Sequence, residues 1–284
     1  MIIFKKIADL QHYLSQQKAA GASVGFVPTM GALHAGHASL VQKAKEQGHL
    51  VVCSIFVNPT QFNDIKDFEK YPVSIDQDIE MLIEIGCNAL FLPSVAEIYP
   101  DGPANMQAWD FGYLDTVLEG AQRPGHFRGV GQVVARLLDA VNPDFLYLGQ
   151  KDYQQCLVIT QLLKFTGKDA HTQLIICPTM READGLAMSS RNRRLSEFQR
   201  PKAGVIYQCL VSIESKQNIA SFATVQKECT DLLKDKGFDP EYIALADAHT
   251  LHLLEDYKAG TPMVALIAAK LGDVRLIDNL LISN

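Results

Sequence analysis

The 284-residue chain is 48% hydrophobic and 20% charged, with a formal net charge of −6. This is the balance of a soluble globular protein with a substantial core and about two domains, at roughly 150 residues each. The acidic balance gives no support to a nucleic-acid surface, and no apolar run reaches the roughly 18 residues of a membrane-spanning helix, so neither nucleic acid nor membrane is expected as a partner.

The first residues, Met1 to Lys6, lack the ordered charged, apolar and cleavage regions of a secretion signal, which points to a cytoplasmic protein. Residues 24–27 form an apolar run that reads as a strand, and 38–45 read as a helix. Between them stands Pro28-Thr29-Met30-Gly31-Ala32-Leu33-His34-Ala35-Gly36-His37. A strand-to-helix turn is where an α/β fold places a phosphate, because the helix N-terminus presents unpaired N–H groups and a partial positive charge. Gly31 and Gly36 permit close approach to the backbone. His34 and His37 lie about one helical turn apart, so both rings reach one side and can donate N–H groups to phosphate oxygens. The alternative for either histidine is a helix cap or a surface position.

Residues 51–57 read as a buried strand, stopped near Pro59, which lacks a donor. Asn58 and Gln61 offer neutral amides, suited to a hydroxyl or carboxylate of a substrate, or simply to a polar loop. A helix is expected over 76–85 and a strand over 89–92. In the segment 119–129, Arg123, His126 and Arg128 form either an anion site or a set of pairs that holds the loop. Residues 130–141 read as a helix and 145–148 as a strand ending at Gly149. Gly149-Gln150-Lys151-Asp152 then leads into a helix over 153–165. Lys151 can put a point charge on a phosphate. Asp152 suits a helix N-cap, and Gln155, one turn on, can face the same cleft. After a strand at 174–176, Met188-Ser189-Ser190-Arg191-Asn192 groups two hydroxyls with a guanidinium. That set suits a polyphosphate, with Arg giving bidentate contacts; a capping Ser beside a surface Arg is the alternative. Helices near 197–216 and 222–236 and strands at 242–245 and 263–268 follow.

Continuous apolar strands between helices indicate a parallel sheet covered on both faces. The expected fold is α/β, a Rossmann-like doubly wound parallel sheet over 1–181 followed by a smaller C-terminal α+β domain over 182–284. Ligands in such sheets bind beyond the carboxyl ends of strands, where these clusters fall. Cys53, Cys87, Cys156, Cys177, Cys209 and Cys229 form no Cys-x-x-Cys pair and are expected as buried free thiols, not as zinc ligands.

These residues resemble the pantoate–β-alanine ligases, within the His-x-Gly-His nucleotidylyltransferase-like superfamily. The resemblance runs through the opening turn, 57–62, Ile98-Tyr99-Pro100, 123–130, 149–155, 188–192, and Leu271 to Asn279. It implies a catalytic first domain that binds ATP and pantoate, a second domain that acts as a lid, and a cytoplasmic homodimer using ATP and Mg²⁺ to join pantoate to β-alanine. It further implies that Met30 to His37 bind ATP, with His34 and His37 on its phosphates and His37 in the catalytic role. Gln61 and Gln155 would hold pantoate, with Asn58 beside them. Gly149, Gln150, Lys151 and Asp152 would line the nucleotide site, with Lys151 near the reacting phosphate. Met180 matches the position whose backbone faces adenine, and Met188, Ser189, Ser190 and Arg191 the clamp on the outer phosphates. Asp78 matches an acidic position linked to Mg²⁺, but its neighbour is Gln77, where many members carry a second acid, so Mg²⁺ is expected to rest mostly on phosphates and water. A loop over 60–71 is expected to exclude water from an acyl-adenylate. Two other classes remain open at this point. A nucleotidylyltransferase would need cations for a second phosphorylated substrate, and a non-catalytic nucleotide-binding module would bind ATP without turnover.

Overall fold

The computed structural model describes residues 1–61, 71–102 and 106–282. Most of the 60–71 loop expected as a lid therefore lies outside the described residues. Contacts divide the chain into two compact units, one of residues 1–149 with 154–177, the other of 150–153 with 178 onward. The division falls after Cys177, a few residues before the expected Arg181, and groups the Lys151 turn with the second unit.

In the first unit the apolar runs become strands because both of their faces need covering. β1 (Ile2–Phe4) lies at an edge. β2 (Val24–Thr29) and β3 (Leu50–Ile55) are buried at nearly every position, as expected for a sheet with helices on both sides. β4 (Ala89–Phe91), β5 (Phe145–Gly149) and β6 (Gln173–Cys177) complete a six-stranded parallel sheet in the order β1-β4-β3-β2-β5-β6. The chain winds outward one way through β3 and β4 and the other way through β5 and β6. The switch point, where such folds bind ligands, is therefore at the carboxyl ends of β2 and β5. The Rossmann-like α/β expectation is met.

The helices of this unit are α1 (Ile7–Ala19), α2 (Ala35–Glu46), α3 (Ile75–Glu84), α4 (Val95–Ile98), α5 (Leu118–Gln122), α6 (His126–Val141) and α7 (Tyr153–Phe165). α6 starts at His126, four residues before the expected 130, because Gly125 takes the left-handed conformation (φ 81°) that sets its first turn. It is buried along most of its length and ends on the left-handed Asn142.

The second unit is the smaller α+β part. Its antiparallel sheet runs β7 (Phe238–Asp247), β8 (Met263–Leu271), β9 (Val274–Ile282). α8 (Val205–Ser215) and α9 (Phe222–Asp235) cover it, with Ile206, Leu210, Ile213, Val225 and Leu233 in the shared core. The helix expected over 197–216 is interrupted. Arg200–Lys202 is a 3₁₀ turn containing Pro201, which has no N–H to continue a helix. The strand expected at 242–245 is longer at both ends and carries an irregularity between Pro240 and Tyr242.

Among the described residues no helix is long and apolar enough to cross a membrane. All six cysteines are buried and free of disulfides. Burial pushes the thiols of Cys53, Cys87 and Cys177 up, which keeps them from forming the nucleophilic thiolate.

Candidate active site

The turn between β2 and α2 is built from three local devices. Gly31 sits at φ 80°, and a Cβ there would come within 3.0 Å of Asp78 Oδ2 and Ile55 Cγ2, so only glycine fits. Ala32 follows at φ 49°, a left-handed position for a residue that carries a Cβ. Asp78 on α3 holds both bends: its two carboxylate oxygens accept the Ala32 and Leu33 backbone N–H groups at 2.8 Å each. Ser74 Oγ donates to the same carboxylate at 3.0 Å, and Asp78 is almost fully buried.

His34 and His37 then cap α2 reciprocally. His34 Nδ1 accepts the Gly36 N–H at 3.1 Å, and His37 Nδ1 accepts the His34 N–H at 3.3 Å. The rings lie 4.1 Å apart between centroids, tilted by 43°. A neutral imidazole whose Nδ1 accepts carries its hydrogen on Nε2. Both rings therefore carry their hydrogen on Nε2, at a helix N-terminus.

Asp78, expected near Mg²⁺, has both oxygens engaged by the turn. Among the described residues no group of three or more His, Cys, Asp or Glu side chains is placed to hold a metal ion. With three of its roughly four acceptor sites taken by Ala32, Leu33 and Ser74, Asp78 alone offers Mg²⁺ little protein ligation.

Beyond β3, the 3₁₀ turn Pro59–Gln61 carries the neutral amides. Asn58 is 1% exposed, and its amide is fully committed within the protein. Its Oδ1 accepts from the Tyr99 hydroxyl at 2.7 Å and from Thr60 N–H and Oγ1. Its Nδ2 donates to Gln61 Oε1 and to the Gly129 carbonyl, each at 3.2 Å. Gln61 Nε2 donates to Met30 Sδ at 2.7 Å. A thioether is a weak acceptor, so this donor is one that a substrate oxygen can take over.

The turn is held from α6 as well. Arg123 Nη1 lies 3.1 Å from His126 Nε2, and His126 Nδ1 lies 2.9 Å from the Gln61 carbonyl. A guanidinium only donates, so Nε2 accepts and Nδ1–H donates to Gln61. Arg123 and His126 thus hold the loop; Arg128 is exposed. Gly129 is required where α6 meets the turn, since a Cβ would stand 2.5 Å from the Thr60 carbonyl oxygen. The Gln61 carbonyl anchor was not legible in the sequence, because its two ends are 65 residues apart. Gln155 is half-buried on α7. Its neighbour Gln154, which the sequence did not single out, ties Leu114, Val117 and Glu119 together.

A Cβ built on Gly149 would meet nothing within 4 Å, so the fold itself does not demand glycine at the end of β5. In the second unit Lys151 sits in the 3₁₀ turn Gln150–Asp152, its Nζ 3.7 Å from Asp152 Oδ1. Asp152 is exposed and ends that turn, immediately before α7 begins at Tyr153. Met180, 43% exposed, accepts the Met188 N–H through its carbonyl at 2.9 Å. Ser189 caps the 3₁₀ turn Ser190–Arg194 by accepting the Arg191 N–H, and Ser190 is buried.

The first unit is thus a Rossmann-like α/β unit in which two histidines cap the helix that leaves β2, at the switch point of the sheet. Comparison with known proteins narrows it. The chain belongs to the pantoate–β-alanine ligase family, whose model matches residues 2–281. The pantothenate synthetase of Cytophaga hutchinsonii is 45% identical, and that of Bacteroides thetaiotaomicron 42%, over 98–99% of each chain. The crystal structure of the Thermus thermophilus pantothenate synthetase superposes with a TM-score of 0.90 at 40% identity, covering 99% of both chains. That of the Francisella tularensis ligase, complexed with β,γ-ATP and β-alanine, has a TM-score of 0.81 at 39% identity, covering 99% of this chain and 97% of that one. This chain is accordingly a ligase of pantothenate biosynthesis.

Proposed function

We propose that the chain makes pantothenate from pantoate, β-alanine and ATP through a pantoyl adenylate. A carboxylate is a poor acyl donor because oxide does not leave. A pantoate oxygen therefore attacks the α-phosphorus of ATP, the bond to the β-phosphate oxygen breaks, and pyrophosphate departs. The β-alanine amine attacks the acyl carbon, the bond to the phosphate oxygen breaks, AMP departs, and the amine loses its proton to solvent. No step needs a covalent nucleophile from the protein, so catalysis is positioning and charge stabilisation.

The observation that carries this reading is the reciprocal cap of His34 and His37, which sets both rings side by side at a helix N-terminus, the kind of place that favours an anion. Lys151 adds a point charge to the departing pyrophosphate. Ser189, Ser190 and Arg191 supply hydroxyls and a guanidinium for the outer phosphates. Gln61 passes its Nε2–H from Met30 to a pantoate oxygen, with Gln155 as the second amide. Asn58 serves by holding Gln61 rather than by touching substrate. Mg²⁺ would be held mostly by the nucleotide phosphates and water, where it would neutralise phosphate charge. The same family resemblance supports a cytoplasmic homodimer, which sedimentation at working concentration tests.

The deciding assay is ATP–pyrophosphate exchange with Mg²⁺ and pantoate, without β-alanine. Pantoate-dependent exchange is expected. ATP binding with no exchange, although pantothenate forms once β-alanine is added, would overturn the adenylate step.

A further inference from the structure

We propose that Asn279 is a positioning residue for Lys151. The motif from Leu271 to Asn279 resembles the family yet contains no group that the reaction above uses. In the structure it forms β9, and its last two residues are buried polar side chains: Asp278 is 4% exposed and Asn279 2%. Asn279 Nδ2 donates one hydrogen to the Gln150 carbonyl at 3.0 Å and one to the Lys151 carbonyl at 2.8 Å. Its Oδ1 accepts from Gln150 Nε2 at 3.2 Å. A primary amide is suited to this task, because its two hydrogens diverge toward two successive carbonyls. Aspartate of the same size would set oxygen against oxygen.

Asn279 is itself fixed. Asp278 Oδ1 accepts the Asn279 N–H at 2.8 Å, and Arg181 grips both Asp278 oxygens at 2.6 and 3.1 Å. Arg181 Nη2 also donates to the Asn279 carbonyl, and its guanidinium lies 4.0 Å over the Tyr207 ring. The far end of the turn is tied by the Tyr153 hydroxyl, which donates to the Ala248 carbonyl at 2.6 Å. This is why Gln150–Tyr153 groups with the second unit while its chain neighbours belong to the first. A lysine ammonium hangs on a flexible stem, so its place is only as definite as its backbone. Asn279 supplies that definition.

The inference rests on the catalytic reading of Lys151, and the test separates the two. Pantoate-dependent ATP–pyrophosphate exchange is measured on full-length Asn279→Ala, Asn279→Asp, Lys151→Ala and the Lys151→Ala/Asn279→Ala double variant. Misplacement of a reacting group by about 1 Å costs on the order of 10² in rate. Asn279→Ala and Asn279→Asp are therefore expected to lose roughly 10- to 100-fold in kcat with the pantoate KM unchanged. The double variant is expected to be no slower than Lys151→Ala alone, since Asn279 acts through a group already gone. Additive losses in the double variant, a wild-type kcat in Asn279→Asp, or failure of both Asn279 variants to fold would overturn the inference and leave the role of Lys151 standing. A wild-type rate in Lys151→Ala would overturn that role and the inference with it.

Discussion

Asp78→Asn tests how the turn between β2 and α2 is made. The aspartate receives two backbone N–H groups at 2.8 Å, from Ala32 and Leu33, which are themselves 0% and 2% exposed. A hydrogen bond to a charged acceptor contributes about 1.5–3 kcal/mol, and a buried N–H left alone costs about 1–3 kcal/mol. Asparagine keeps the shape and one acceptor oxygen but turns an NH₂ toward the other N–H. One bond is lost and a donor faces a donor, so a loss of roughly 2–4 kcal/mol is expected. Ala32 is also released from its φ of 49°, a conformation that costs an L-residue roughly 1–2 kcal/mol and persists only while it is held. The turn therefore relaxes, and His34 and His37 leave their caps with it. Urea unfolding should show the stability loss, and ATP–pyrophosphate exchange should fall by about 10² or more. The Mg²⁺ concentration for half-maximal exchange should stay where it is in the wild type. A variant with wild-type stability and full exchange at saturating Mg²⁺, but a raised Mg²⁺ requirement, would refute this account and make Asp78 a metal ligand.

On the proposed role of His37 as a phosphate donor, His37→Ala should lower kcat for exchange by about 10²–10³, read by steady-state exchange with ATP binding measured separately. Gly129→Ala places a Cβ 2.5 Å from the Thr60 carbonyl oxygen and 3.0 Å from Gln61 Cα. It should destabilise by about 1–3 kcal/mol in urea and raise the pantoate KM, because the Gln61 turn is displaced. Tyr99→Phe removes the hydroxyl that donates to Asn58, and should lower stability by roughly 0.5–1.5 kcal/mol with a smaller effect on pantoate. His49, stacked on Phe145 at 4.1 Å between centroids and 2.6 Å from Ser23 Oγ, has its pKa lowered by burial, against the pull of Asp144. The folded state keeps this ring neutral while the unfolded chain protonates it below about pH 6.5. Its contribution is thus fully present above that pH and lost as pH falls toward the folded value. The His49 ring resonances should titrate below 6.5 by NMR.

The strands at the centre of the sheet and the His34–His37 turn were legible because their causes are local. β2 and β3 are apolar at successive positions, and the turn lies between a strand and a helix in one unbroken segment. β1 was not legible, being three residues long and largely exposed. β9 was not legible as a strand because Arg275, Asp278 and Asn279 give it the look of a polar loop. The pairing of Asp278 with Arg181, 97 residues away, offsets the cost of burying that charge, and burial still pushes the Asp278 pKa up. Asn58 shows the same limit from the other side. A buried amide reads identically in sequence whether it faces a ligand or, as here, Tyr99, Thr60, Gln61 and Gly129. The groups proposed to meet the ligand are therefore found by local pattern, whereas the groups that hold their turns come from distant segments. Asp78 is 46 residues from Ala32, His126 65 from Gln61, and Asn279 128 from Lys151. Substitutions on α3, α6 and β9 should then alter turnover without touching any substrate, and the size of each effect should follow the number of turn groups the side chain holds.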